Sequence, residues 1–307
     1  LNNASKSLIV VAGPTAAGKT QMALKIARFY QTEIISADSR QMYRELNIGT
    51  AKPSGDELQK IRHHFINRFS ISESYNASRF EKDGLKLIHH LFETHDTVVM
   101  AGGSGLYIHA IINGFDSMPA PDKNIRSDIQ MDIKQYGKQI LLDELASKDI
   151  EYFNIIDKNN IRRIIRAIEV IRISGKPYSS FRKRKTQKRA FQIICIALDP
   201  GRETLYKNIN LRVDQMIKQG LEQEAFSLFK YRNLPCLDTV GYREFFDYFD
   251  QKISKEEAIR LIKRNSRRYA KRQYTWFRKN KDFVWFRPKE EQKLLDYIHQ
   301  RINKQCK

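Results

Sequence analysis

Cysteine is scarce and poorly spaced for chemistry: Cys195, Cys236 and Cys306 are the three in 307 residues, with no CxxC pair and no histidine cluster beside them. That excludes a disulfide framework, argues against a zinc site, and fits a reducing, cytoplasmic setting. The neighbouring pairs His63-His64 and His89-His90 lack metal-ligand spacing, because adjacent side chains diverge, and read as structural or surface residues. Long apolar runs are missing too. No stretch approaches the roughly 18 residues needed to cross a bilayer, and the opening residues lead straight into a strand pattern, which speaks against a signal peptide or membrane anchor. Without a heptad seam, a monomer is expected. Acids are few, 35 Asp plus Glu against 55 Lys plus Arg, giving a formal charge of +20. Such an imbalance implies a polyanionic partner, the alternative being basic residues that merely keep soluble molecules apart.

What is present is a globular composition, 41% hydrophobic with 11% aromatic residues, enough for a large core and a smaller satellite. Ser7 to Ala12, Glu33 to Ala37, Thr97 to Ala101 and Phe191 to Leu198 are short apolar runs with strand character. The first is followed by a glycine loop and a helical pattern from about Gln21 to Tyr30, which makes a βαβ unit with the second. About ninety mostly helical residues separate the third and fourth strands, including Ile161 to Ser174, closed by SGKP. The expected class is α/β: a P-loop NTPase-like core with a parallel β-sheet flanked by helices, residues 1–113 and 191–307, plus a helical insertion domain at 114–190. Near the end of that insertion, Phe181 to Ala190 holds six cations and no acid, and reads as mobile until a partner binds.

The segment GPTAAGKT, from Gly13 to Thr20, matches the phosphate-binding P-loop at every fixed position, between a strand and a helix. Backbone amides of Gly13, Pro14, Thr15, Ala16, Ala17 and Gly18, proline apart, can turn around phosphate oxygens; Lys19 adds a point charge and Thr20 can ligate Mg²⁺. Asp38 follows the second strand, at the carboxyl edge of the sheet where this fold class binds ligands. Position alone leaves it open as a general base, a magnesium-organising carboxylate or a helix N-cap. Farther on, Arg260 to Lys279 carries nine cations and no acid, interleaved with Tyr269, Tyr274, Trp276 and Phe277. Cations three and four residues apart share a helical face able to meet successive RNA phosphates, against a plain solvated face; Trp276 and Phe277 are assigned to core packing.

SADSRQMYRELNIGTAKP (Ser36 to Pro53) closely resembles the segment after the second strand in tRNA dimethylallyltransferases. AGGSGLY, RAIEVIRISGKP, DQMIKQGLEQE, TVGYRE and KRQYTWFRK follow in that family's order, so the resemblance covers nearly the whole chain. Ser104 departs from the usual family threonine but keeps its hydroxyl. The resemblance implies transfer of a dimethylallyl group from dimethylallyl diphosphate to N6 of the adenosine 3′-adjacent to the anticodon in tRNA, with Mg²⁺. By the same resemblance Asp38 is the base, Lys19 and Arg212 stabilise the leaving diphosphate, and Ser104 orients the site. A surface role for Arg212 and helix capping by Ser104 stay open. Family tRNA contacts map onto Asp38, Ser39, Arg40 and Gln41; onto Arg162, Arg163 and Arg166; onto Asp238, Thr239, Gly241, Tyr242 and Arg243; and onto Lys271, Arg272, Gln273, Thr275 and Arg278, with Arg126 in addition. The rivals are an adenylate isopentenyltransferase acting on a free nucleotide, and a P-loop kinase or ATPase.

Overall fold

Strands that are apolar on both faces are satisfied only in a sheet covered on both sides, and that is the solution the chain adopts. A computed structural model describes residues 6–183 and 186–304; Arg184, Lys185 and Cys306 lie outside them. Six strands, β1 (Ser7–Ala12), β2 (Ile34–Ala37), β3 (His63–His64), β4 (Thr97–Gly102), β5 (Gln192–Leu198) and β6 (Val284–Phe286), form one sheet in the order β3-β2-β4-β1-β5-β6. Every pairing is parallel, with Ser7 of the central β1 opposite Thr97 of β4 and Gln192 of β5. All six β1 residues are buried, as its β-branched, two-faced pattern requires. Because the strands are parallel, the carboxyl ends of β1, β2 and β4 share one edge. There the chain places Gly13, Asp38 and Gly103.

The four long strands are those read from the sequence, while the edge strands β3 and β6 add to them. Segments of two and three residues leave no periodicity to read; their pairing comes from position, Ile34 opposite His63 and Ile196 opposite Val284. His64 of the structural pair bonds Glu33 at 2.5 Å.

The helices are α1 (Lys19–Phe29), α2 (Gly55–Lys60), α3 (Ala77–Leu91), α4 (Gly105–Asn113), α5 (Lys123–Tyr136), α6 (Gln139–Lys148), α7 (Ile150–Ile155), α8 (Ile161–Ser174), α9 (Arg202–Lys218), α10 (Leu221–Leu228), α11 (Tyr242–Phe249), α12 (Lys255–Lys279) and α13 (Glu291–Asn303). The chain divides into two compact units, Leu1–Ile112 with Arg189–Lys307, and Asn113–Lys188. In the first, Ile9, Val11, Met22, Ile26, Ile194, Ile196, Leu205 and Leu294 share a core. In the second, Ile129, Leu141, Leu145, Ile164 and Ile168 form another, drawn from α5, α6 and α8. α8 occupies the residues its pattern marks out: Asn160 caps its first turn and Gly175 ends it at φ 67°. Among the described residues no helix is long and apolar enough to cross a membrane.

Two expectations give way. Arg189, from the basic stretch read as mobile, is held: its guanidinium pairs with Glu81 at 3.0 Å and donates to the carbonyls of Ala110 and Ile111. Trp276, assigned to the core, is 42% exposed. Its indole instead lies over Gly105, where a Cβ would come within 2.2 Å of Nε1, whereas Phe277, one residue on, turns fully inward.

Candidate active site

β1 runs into the Gly13–Thr20 loop, and the turn needs backbone conformations that side chains resist. Gly13 has φ 140°, and a Cβ there would sit 2.9 Å from the Leu198 carbonyl oxygen at the end of β5; Gly18 has φ 90°. No side chain caps α1, so its first amides and the positive end of its dipole are left for an anion. Lys19 Nζ donates to the Pro14 carbonyl at 2.6 Å. From α9, Arg212 Nη1 donates to Thr15 Oγ1 at 3.2 Å, which makes it part of the loop's wall and not a surface residue. Burial, then repulsion from Arg212, lowers the Lys19 pKa to about 7, with Asp38 pulling the other way. Burial lowers that of Arg212 as well. Two desolvated cations beside an uncapped helix form a site built for a strong anion.

The cavity above them measures about 640 Å³ and is also lined by Asp38, Gln41, Thr50, Lys52, Tyr269 and Gln273. Asp38 Oδ1 accepts from the amides of Arg40 at 2.9 Å and Gln41 at 3.4 Å. No helix follows, so the carboxylate clamps an Asx-type turn. No protein donor reaches Oδ2 among the described residues. Ser104 Oγ accepts from the Ser39 amide at 2.9 Å and lies 3.2 Å from Ser39 Oγ. That hydroxyl ties the β4 turn to the residue after Asp38, while α4 begins on the Ser104 backbone carbonyl. Burial and the nearby Asp38 raise the Tyr269 pKa to about 12, so its hydroxyl stays protonated at the cavity wall.

Gly102 sets the spacing of the strands at this edge. A Cβ on it would lie 2.2 Å from the Ala37 carbonyl oxygen and 2.5 Å from its carbon, and backbone cannot yield as a side chain can. Gly102→Ala is therefore expected to destabilise the fold by about 1–3 kcal/mol through overpacking. A denaturant melt checks this, and an unchanged midpoint would contradict the close approach of β2 and β4.

Residues 41–280 match the IPP transferase family. The chain belongs to that family. It is 45% identical over 298 residues to the tRNA dimethylallyltransferase of Cytophaga hutchinsonii, covering 97% of this chain and 98% of the relative. With that of Christiangramia forsetii it shares 47% over 300 residues, 97% and 99% of the two chains. The solved full-length tRNA isopentenylpyrophosphate transferase of Bacillus halodurans superposes with a TM-score of 0.72 at 36% identity, over 97% of each chain. A eukaryotic dimethylallyltransferase acting on tRNA gives a TM-score of 0.74 at 26% identity, over 92% of this chain and 74% of that one.

In this IPP transferase the remaining positions expected at an RNA surface separate into outward and inward ones. On α12, Arg268, Lys271, Arg272, Thr275 and Lys279 form one exposed stripe, and Arg278 is exposed beside it, pairing with Asp199 at 3.1 Å. Gln273 falls on the opposite face with Ala270 and Phe277 and is buried. Its amide accepts from the Thr15 amide and donates to the Gly103 carbonyl, each at 2.8 Å, so it joins the two loops and is spent on protein contacts. Tyr242 is likewise no surface contact: it is fully buried with its hydroxyl on Glu224 at 2.7 Å. Its segment reaches the cavity through Thr239 and Gly241, while Arg243 is exposed and pairs with Asp238 at 3.1 Å. Ser39, Arg40 and Gln41 surround Asp38.

Within the second unit, Arg162 and Arg163 are exposed on α8. Arg126 and Arg166 converge on Glu169, which is 0% exposed, with closest approaches of 2.7 and 2.6 Å. Two cations share one buried acid there, an excess positive charge held in fixed geometry. Sequence reasoning missed Glu224 and Lys52. Both stand in motifs that carry the family resemblance, but no spacing rule joins residue 224 to residue 47.

Proposed function

We propose that the chain transfers the dimethylallyl group of dimethylallyl diphosphate to N6 of the adenosine 3′-adjacent to the anticodon in tRNA, releasing diphosphate. The observation that carries this is Asp38: one carboxylate oxygen is pinned in a turn and the other has no donor among the described residues, in the same cavity as Lys19, Arg212 and the P-loop. Lys19, Arg212 and the loop amides bind the diphosphate and oppose the charge that gathers on it as the allylic C–O bond breaks, the electron pair leaving with oxygen. The N6 lone pair, delocalised into the ring, forms the new C–N bond only as its proton departs. Asp38 Oδ2 takes that proton. Ser104 fixes the turn that aims the carboxylate.

A divalent cation at a P-loop draws most of its ligands from phosphate oxygens and water, so a single protein hydroxyl suffices; Thr20, which lines the cavity, fits Mg²⁺. The ion would add positive charge where diphosphate departs. The exposed α12 stripe, with Arg126, Arg162, Arg163 and Arg166 on the insertion, offers cations to the phosphates of the anticodon stem-loop, and reaching N6 requires the target base to leave its stack. One chain supplies every group the reaction uses, which supports a monomer, and the scarce, scattered cysteines support a reducing, cytoplasmic setting.

The test is label transfer from radiolabelled dimethylallyl diphosphate with Mg²⁺ to anticodon stem-loop RNA, AMP or ADP, in parallel. Label in RNA is the expected result. Label in free nucleotide would move the reading to a nucleotide isopentenyltransferase, a use to which the exposed α12 cations contribute nothing.

A further inference from the structure

Glu224, on α10, does more hydrogen bonding than its place on a helix surface calls for. Its Oε2 accepts from the amides of Asn47 at 3.0 Å and Ile48 at 2.9 Å, and its Oε1 from the amide of Gly49 at 2.9 Å and the hydroxyl of Tyr242 at 2.7 Å. Those amides open the short 3₁₀ turn Ile48–Thr50, which has no side-chain cap of its own. A carboxylate from elsewhere in the chain therefore satisfies the orphan donors that begin the turn. Tyr242 presses the same place: a Cβ on Gly49 would lie 2.6 Å from its ring.

The turn leads on to Asp38. Gln41 Nε2 donates to the carbonyls of Thr50 at 3.2 Å and Ala51 at 3.1 Å, and its Oε1 accepts from Ser36 Oγ at 3.2 Å. The backbone amide of that same Gln41, with that of Arg40, holds Asp38 Oδ1. At the far end Lys52 Nζ anchors the loop to the Tyr43 carbonyl at 2.6 Å and to Asn47 Oδ1 at 2.9 Å. None of these bonds touches the Gly13–Thr20 loop.

We propose that Glu224 and Tyr242 are a positioning pair that fixes the Asn47–Thr50 turn and, through Gln41, aims the Asp38 carboxylate; this rests on the prenyl-transfer reading above. Neither residue lines the cavity. In Glu224→Gln an NH₂ must face either the Gly49 amide or the amides of Asn47 and Ile48, donor against donor, and the turn loosens.

Two measurements test the pair. Amide hydrogen exchange on the Glu224→Gln protein is expected to speed up at Asn47, Ile48 and Gly49 and, beyond them, at Arg40 and Gln41. Faster exchange confined to residues 47–49 would overturn the propagation, and this readout stands whether or not the chain proves to be a prenyltransferase. Kinetically, Glu224→Gln is expected to lower kcat about 10- to 100-fold, as a misaimed reacting group does, with the KM for dimethylallyl diphosphate unchanged. The same substitution in an Asp38→Asn background is expected to add nothing, because its effect runs through Asp38. Effects that multiply in the two backgrounds, or a lowered melting temperature with kcat intact, would sink the proposal. Tyr242→Phe, which removes one oxygen and is expected to cost roughly five-fold, carries the same cycle should Glu224→Gln fold poorly.

Discussion

Asp38→Asn is expected to reduce kcat for prenyl transfer about 10²- to 10⁴-fold, the range a general base contributes, while leaving donor and RNA binding close to wild type. Asparagine is the informative substitution because its Oδ1 can still accept from the amides of Arg40 and Gln41, so the turn survives and only the proton acceptor is lost. Alanine would remove both functions and confound them. Single-turnover transfer at saturating donor, alongside RNA binding by filter retention, separates the two effects. If binding collapses with transfer, Asp38 is chiefly an architectural carboxylate. If transfer persists within ten-fold, the proton leaves by another route and the reading of this site is wrong.

That double duty also shows what can be read from a sequence. GPTAAGKT announces its own geometry because the glycine positions, the lysine and the flanking strand and helix are all local, and the structure places them as local reasoning requires. The strand-end position of Asp38 is local in the same way, as is α8 between Asn160 and Gly175. Its alternative as a helix cap is settled only by what comes next: a turn, and not a helix. Contacts across the fold are another matter. Gln273 and Tyr242 sit in motifs whose charge and aromatic content suggest an RNA surface, and each turns inward because its helix face is set by packing partners far away in the chain. Gln273 meets Thr15 and Gly103; Tyr242 meets Gly49 and Glu224. The basic composition of α12 was legible, but which of its residues face solvent depends on where Ala270, Gln273 and Phe277 find their core.

Lys19→Met is expected to abolish measurable transfer, a loss of at least about 10³-fold, and at the same time to raise the melting temperature of the ligand-free protein. Burial and Arg212 hold the Lys19 pKa down at about 7, against an ordinary 10.5. Below pH 7 the lysine is charged in both folded and unfolded chains, and the full cost of holding that charge beside Arg212 is present. Between about pH 7 and 10.5 the unfolded chain keeps the proton and the folded one releases it, so the penalty fades as pH rises. The gain from methionine should therefore be largest near pH 6.5 and small by pH 10. After discounting for the half-buried setting it is on the order of 1 kcal/mol, a few degrees at most. Diphosphate reverses the sign: it supplies a counter-charge to Lys19 and Arg212, so it should stabilise the wild type by mass action and shift the methionine variant, which keeps only Arg212 and the loop amides, much less. Melting curves of both proteins with and without diphosphate, at two pH values, make the comparison. A variant less stable than wild type at pH 6.5 would mean that Lys19 is already neutralised in the free protein. The cavity would then not be the strained cationic site that the proposed departure of diphosphate calls for.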